Sequence, residues 1–180
     1  MLSYNQLCEI VERGVIVPVR PECINASSID IHLGDEIVVE IHKPGSVVDP
    51  FKRTNFPQKK LSLSRDMGGH YDLQPGEFVL AHSVEVFNLP RNISAEFRLK
   101  SSGARSGLNN LFACHCDAGW NGSALTLELH NVLRFTHLRL TAGMPIGQML
   151  FHEHKWVQVE RSYAARGRYN NDASVSAVKE

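Results

Sequence analysis

The sequence predicts a mainly β fold, an antiparallel sandwich, barrel or jelly roll, and three observations predict it. Short β-rich runs recur from residue 78 onward, and turn residues (Pro75-Gly76, Pro90, Gly143, Pro145) punctuate them. Helical periodicity is clear in one segment, at the N-terminus. The length, 180 residues, suits a single domain spanning residues 1–180.

Residues 3–13 form the expected helix. Ser3 and Gln6 make an S-x-x-Q capping box, Tyr4, Leu7, Ile10 and Val11 an apolar stripe, and Gly14 a stop. IDIHLGDEIVVEI (29–41) reads as two short strands with Gly34-Asp35 as the turn between them. Residues 42–76, rich in Pro, Gly, Lys and Asp, read as a long excursion with little regular structure. Strands are then expected at 78–89, 93–99, 123–132, 133–142 and 146–154. From about Tyr163 to residue 180 the chain is polar and rich in Asn and Ser, a tail that is mobile or ordered only against a ligand or a neighbouring subunit.

Composition narrows the function classes. Lysine plus arginine balances aspartate plus glutamate at 19 each, so no global field favours nucleic acid, while a few local cations suffice for a small anionic substrate. No apolar run approaches the ~18 residues of a membrane span. MLSYNQLCEIVERG lacks the basic-then-apolar layout of a signal peptide, which makes the cytoplasm the expected compartment. Reduced thiols are expected for Cys8, Cys23, Cys114 and Cys116, since a single residue separates the last two and no C-x-x-C spacing occurs. Neither Cys114-His115-Cys116 nor His152-Glu153-His154 matches the H-x-E with distant P-C-x-x-C of zinc deaminases, so no zinc is expected.

Two stretches can carry chemistry. In KSSGARSGL (100–108) small residues after a strand would let backbone N–H groups approach an anion. Ser101, Ser102 and the cations Lys100 and Arg105 would complete a phosphate cradle. The plain alternative is a helix start capped by Ser101 or Ser102. CDAGWNGSALTLE (116–128) reads as a hairpin whose Asp117 heads a tight turn and whose Trp120 is either core or a flat wall for a sugar or base. Leu125, Leu127 and Leu129 share one strand face, Thr126 and Glu128 the other. Facing solvent, Glu128 is trivial; inside a barrel or at a subunit seam it is a carboxyl with a raised pKa, suited to taking a proton from water.

SSIDIHLGD (27–35), PGEFVLAHSVEVFNLP (75–90), KSSGARSGL (100–108), DAGWNGSALTLELHN (117–131) and AGMPIGQMLF (142–151) occur in the order of the dCTP deaminase branch of the trimeric dUTPase superfamily. The chain resembles that branch over most of residues 1–170. The resemblance implies a distorted β-barrel or jelly roll of dUTPase-like type, with an N-terminal helix, a flexible C-terminal lid and active sites shared in a homotrimer. By position, Lys100, Ser101, Ser102 and Arg105 look like the motif holding the triphosphate and catalytic water. Asp117 resembles the ligand of the deoxyribose 3′-hydroxyl, and Trp120 the aromatic beneath the sugar. Gln148 resembles a phosphate contact, and Tyr163, Arg168 and Tyr169 the lid over the triphosphate.

Glu128 is what separates the deaminases from plain dUTPases in this comparison. The implied mechanism is metal-free at the base, with Glu128 activating water for attack on C4 and Ser101 and Arg105 positioning it. Magnesium rides on the triphosphate. The chain departs from the family pattern in spacing, shorter from Arg105 to Asp117 and longer from Asp117 to Glu128. LFACHC (111–116) replaces the usual His-x-Thr-Ala, so His115 or Cys114 would face the C5 edge of the pyrimidine. That divergence fits a viral, phage-type member acting in a host cytoplasm on a C5-modified dCTP. The leading expectation is deamination of dCTP to dUTP and ammonia. A bifunctional enzyme carrying on to dUMP and diphosphate is the alternative, and a non-catalytic nucleotide-binding or structural jelly-roll protein is the reading of another class.

Overall fold

The computed structural model describes residues 1–111, 113 and 115–179. Helix α1 (Tyr4–Glu12) starts as expected, with the Ser3 N–H donating to Gln6 Oε1 at 3.0 Å. It buries Leu7 and Ile10 and gives way at Gly14, whose φ is +72°. β1 (Ile16–Val17) and a 3₁₀ turn at Pro21–Cys23 lead into β2 (Ile29–Glu40).

β2 is one continuous strand, which corrects the expected turn at Gly34-Asp35. The glycine serves a bulge instead: the register against the next long strand shifts between Leu33 and Ile37. A Cβ at Gly34 would run into the ring of His82. His82 Nε2 accepts the Glu36 N–H at 3.2 Å, a donor the shifted ladder leaves over, and His82 Nδ1 faces the Ser83 carbonyl at 2.8 Å. Burial lowers the His82 pKa and favours the neutral ring that this pair of bonds needs.

The segment 42–76 is more regular than expected, holding β3 (Gln58–Ser62), the short helix α2 (Leu63–Asp66) and β4 (His70–Leu73). Asp35 is the reason α2 forms where it does. Its carboxylate accepts from Ser62 Oγ at 2.6 Å and the Ser64 N–H at 2.8 Å, while Ser62 Oγ caps Arg65. These bonds hold the Asp35 pKa below the usual carboxylate value. Then follow β5 (Phe78–Asn88), β6 (Ile93–Leu99), α3 (Ser101–Arg105), β7 (Leu108–Asn110) and β8 (His115–Cys116). The chain continues through β9 (Asn121–Asn131), β10 (Leu138–Thr141), β11 (Pro145–Glu153), a 3₁₀ turn at Val159–Arg161 and α4 (Tyr163–Arg166).

The main strands run in the order β7-β9-β5-β2-β11-β6-β8, with β1 added to β5 and β3 to β2, while β10 pairs with β4. The pairings are antiparallel, as expected. β2 makes the corner: residues 29–32 pair with β11, and residues 33–39 with β5. Alternate residues of β5 (Val79, Ala81, Phe87), β9 (Leu125, Leu127, Leu129) and β11 (Met149, Phe151) meet in one core. The fold is therefore mainly β, as the turn spacing predicted.

Two further expectations change. The strand expected at 133–142 is confined to Leu138–Thr141, because the Asn131 side chain donates to both Leu73 O and Thr136 O and turns the chain first. The tail docks on its own sheet rather than waiting for a ligand or neighbour. Trp120 Nε1 and Ser123 Oγ donate to the Tyr169 carbonyl at 2.8 and 2.6 Å, the Ala124 N–H donates to Asp172 O at 2.9 Å, and Val175 is buried against Val38 and Leu80. Among the described residues, no helix is long and apolar enough to cross a membrane.

Candidate active site

The stretch 116–128 is not a hairpin. β8 pairs with β6, whereas β9 pairs with β5 and β7, so residues 117–120 carry the chain from one end of the strand order towards the other. The Trp120 N–H donating to Asp117 O at 3.1 Å holds the turn, and Gly119 has the positive φ that it requires. The crossing places Asp117 and Trp120 beside Thr126 and Glu128 around a cavity of about 460 Å³.

Glu128 reaches that cavity because Leu125, Leu127 and Leu129 take the core face of β9, leaving Thr126 and Glu128 on the other. β7 fixes the backbone there: the Glu128 N–H donates to Asn110 Oδ1 at 3.0 Å and its carbonyl accepts from the Leu111 N–H at 3.0 Å. Burial pushes the Glu128 carboxyl up from 4.5 to about 7, a bond from its own backbone N–H pulling more weakly the other way. A half-buried acid that is neutral and ionised in comparable amounts near neutrality can both take and give a proton.

The other lining residues divide by chemistry. Asp117 is exposed and lies 3.3 Å from His115 Nε2. Trp120 is both wall and core, its ring stacked on Phe87 at 5.3 Å and 21°. Tyr163 and Tyr169 line the cavity as well, and burial raises the Tyr163 pKa. Sequence reading passed over the apolar wall of Phe56, Phe78 and Leu80, and the tail residues Asp172 and Val178. Phe56 lies in the segment read as an irregular excursion, which hid it. The Phe78 and Leu80 positions were legible as the face of β5 opposite Val79 and Ala81.

The proposed phosphate motif forms the short helix α3, with Lys100 in the N-cap position and neither serine capping it, so the plain capping alternative fails. None of Lys100, Ser101, Ser102 and Arg105 lines the Glu128 cavity of the same subunit. Lys100 Nζ pairs with Asp30 Oδ2 at 2.7 Å, and Gln148, which faces Asp30 and Arg98 across the ladder, accepts from Ser28 Oγ at 3.1 Å. Asp30 and Ser28, both in the SSIDIHLGD run, thus gather with Lys100 and Gln148. The side chains of Ser101, Ser102 and Arg105 are exposed, and Arg168 is exposed outside the cavity lining. Cys114 lies outside the described residues.

Comparison with known proteins shows the family. The dCTP deaminase-like family model matches residues 1–154. Among curated relatives, the "dCTP deaminase, dUMP-forming" of Methanoregula boonei is 40% identical over 151 residues, 82% of this chain and 79% of its own. The protein of the same name from Aquifex aeolicus is 32% identical over 153 residues, 84% of this chain and 80% of its own. Of solved structures, the 2′-deoxycytidine 5′-triphosphate deaminase from Agrobacterium tumefaciens superposes with a TM-score of 0.62 at 20% identity. That match covers 83% of this chain but 46% of the other, and at such identity it speaks for the fold alone. Matched by the family model over most of its length and by relatives at 30–40% identity, the chain belongs to the dCTP deaminase-like family of enzymes.

Proposed function

We propose that this enzyme hydrolytically deaminates dCTP at C4 and carries the product on to dUMP and diphosphate. The observation that carries the first half is Glu128: a carboxyl lifted to about 7 by burial, facing a cavity of nucleoside size beside Asp117 and Trp120. Glu128 takes a proton from water as its oxygen attacks C4 and passes it to N3. It then takes the proton of the new C4 hydroxyl and gives it to the departing amine as the C4–N bond breaks, so that dCTP and water give dUTP and ammonia. Asp117 accepts the deoxyribose 3′-hydroxyl, and Trp120 packs beneath the sugar. His115, next to Asp117, stands towards the C5 edge of the base, with Cys114 expected beside it.

The second half rests on the relatives, which bear the dUMP-forming name; the expectation of dUTP as final product yields to it. Ser101 and Arg105 position water and stabilise developing charge, while Lys100, Ser102 and Gln148 hold phosphates under a lid of Tyr163, Arg168 and Tyr169. Asp30, the carboxylate gathered with this motif, is held by Lys100 Nζ at 2.7 Å, so magnesium arrives on the triphosphate rather than in a protein cage.

The separation of α3 from the Glu128 cavity supports a homotrimer in which one subunit's α3 serves its neighbour's cavity. Incubating the protein with dCTP, 5-methyl-dCTP or dUTP plus magnesium, and separating the products, tests the reading. Ammonia, dUMP and diphosphate from dCTP are expected. Ammonia with intact dUTP would remove the second half, and unchanged dCTP would remove both.

A further inference from the structure

A second cluster of chemistry-bearing side chains lies outside the Glu128 cavity. Glu85 of β5 is 3% exposed, and both of its oxygens engage His32 of β2. Oε2 accepts the His32 backbone N–H at 3.0 Å, and Oε1 meets Nδ1 at 2.7 Å. That contact assigns the ring proton to Nδ1 and leaves the Nε2 lone pair outward. Nε2 faces Cys23 Sγ at 4.0 Å and Arg20 Nη2 at 3.4 Å. Beside them opens a cavity of about 250 Å³, lined by Cys23, His32, Glu85 and Arg20 together with Val84 and Gly143. A His–Glu pair serving structure alone uses Nδ1 and the backbone N–H; it has no need of a thiol at Nε2 or of a cavity reaching that thiol.

We propose that Cys23 is a reactive thiol served by a Cys23–His32–Glu85 relay, a modification site for small anionic electrophiles, in particular a carboxylate-bearing disulfide. His32 Nε2 takes the proton from Sγ, and the sulfur attacks one sulfur of the disulfide. The S–S bond breaks, and the departing thiolate recovers the proton from His32. The products are a mixed disulfide on Cys23 and one free thiol, so Cys23 is oxidised as the leaving sulfur is reduced. Glu85 is a positioning residue that holds the ring. Arg20, whose side chain is 67% exposed and pairs with the equally exposed Glu22 at 3.4 Å, exchanges that partner for the carboxylate of the electrophile.

Peptide-mapped mass spectrometry of the full chain, treated with glutathione disulfide, iodoacetamide or iodoacetate near neutral pH, tests this. Cys8, partly exposed on α1, is the internal reference. Cys23 is expected to react at least about tenfold faster than Cys8 in the folded protein, and at an equal rate in urea. His32→Gln should slow Cys23 about tenfold and leave Cys8 unchanged. Arg20→Ala should slow iodoacetate and glutathione disulfide more than neutral iodoacetamide; equal slowing would overturn the anionic preference. Cys23 reacting no faster than Cys8 in the folded wild type would overturn the relay, whether or not the His32 variant folds. So would an unchanged Cys23 rate in a folded His32→Gln protein.

Discussion

Two carboxyl groups of this chain are pushed in opposite directions by their surroundings. The Arg65 guanidinium and the Ser62 N–H hold exposed Asp66 at about 2, whereas burial lifts Glu128 to about 7. The second shift has a cost in stability. Between about pH 4.5 and about pH 7 the unfolded chain has released the Glu128 proton while the folded chain keeps it. Stability therefore falls as pH rises through that window and levels off above it. Glu128→Gln removes this dependence, so its stability advantage over wild type should grow by ~2–3 kcal/mol across the window in urea unfolding. In its proposed role as base, Glu128 must be ionised to accept the water's proton, so deamination should rise with pH up to about 7 and then flatten. A flat rate between pH 5 and pH 7 would contradict its role as base. Glu128 was singled out as a candidate by the family resemblance, since in the alternation alone it reads as an ordinary residue of the polar face. Its raised pKa was not legible, since that depends on which face of β9 the cavity occupies.

Among the elements, the corner of β2 shows what sequence could and could not reveal. Gly34-Asp35 looks like turn chemistry, and both residues are special, but for tertiary reasons: the glycine yields space to His82 and the aspartate organises Ser62 and Ser64. Gly34→Ala should cost ~2–3 kcal/mol in urea unfolding, because the methyl group meets a half-buried ring that is bonded at both nitrogens. A near-neutral effect would mean that the bulge relaxes freely. Strands 78–89, 93–99, 123–132 and 146–154 were readable within a few residues, because each alternates over a shared core. β3, β4 and α2 were hidden because their sequences are polar and their order comes from Asp35 and from pairing with β2 and β10. The crossing at 117–120 was misread as a hairpin since a tight turn looks the same locally whether its strands pair with each other or with strangers.

For the whole molecule, the cavity and α3 present halves of one proposed site that a single subunit does not join. Light scattering should report a trimer, and a monomer active towards dCTP would contradict the shared site. Complementation tests the sharing itself. Arg105→Ala and Glu128→Gln chains, each inactive alone, should regain about a quarter of wild-type activity when co-expressed in equal amounts, the fraction of sites drawing both intact residues. No recovery would place both residues in one subunit's site. The docked tail adds a further expectation: deleting residues 169–179 removes Tyr169, Asp172 and Val178 from the cavity wall and should raise KM for dCTP while leaving the fold intact. The most direct test remains ammonia release from dCTP by wild type and by Glu128→Gln at neutral pH. The wild type should release ammonia stoichiometrically with dUMP, and the folded variant should lose at least about a thousandfold in rate. Full deamination by Glu128→Gln, or none by a folded wild-type protein, would contradict the account.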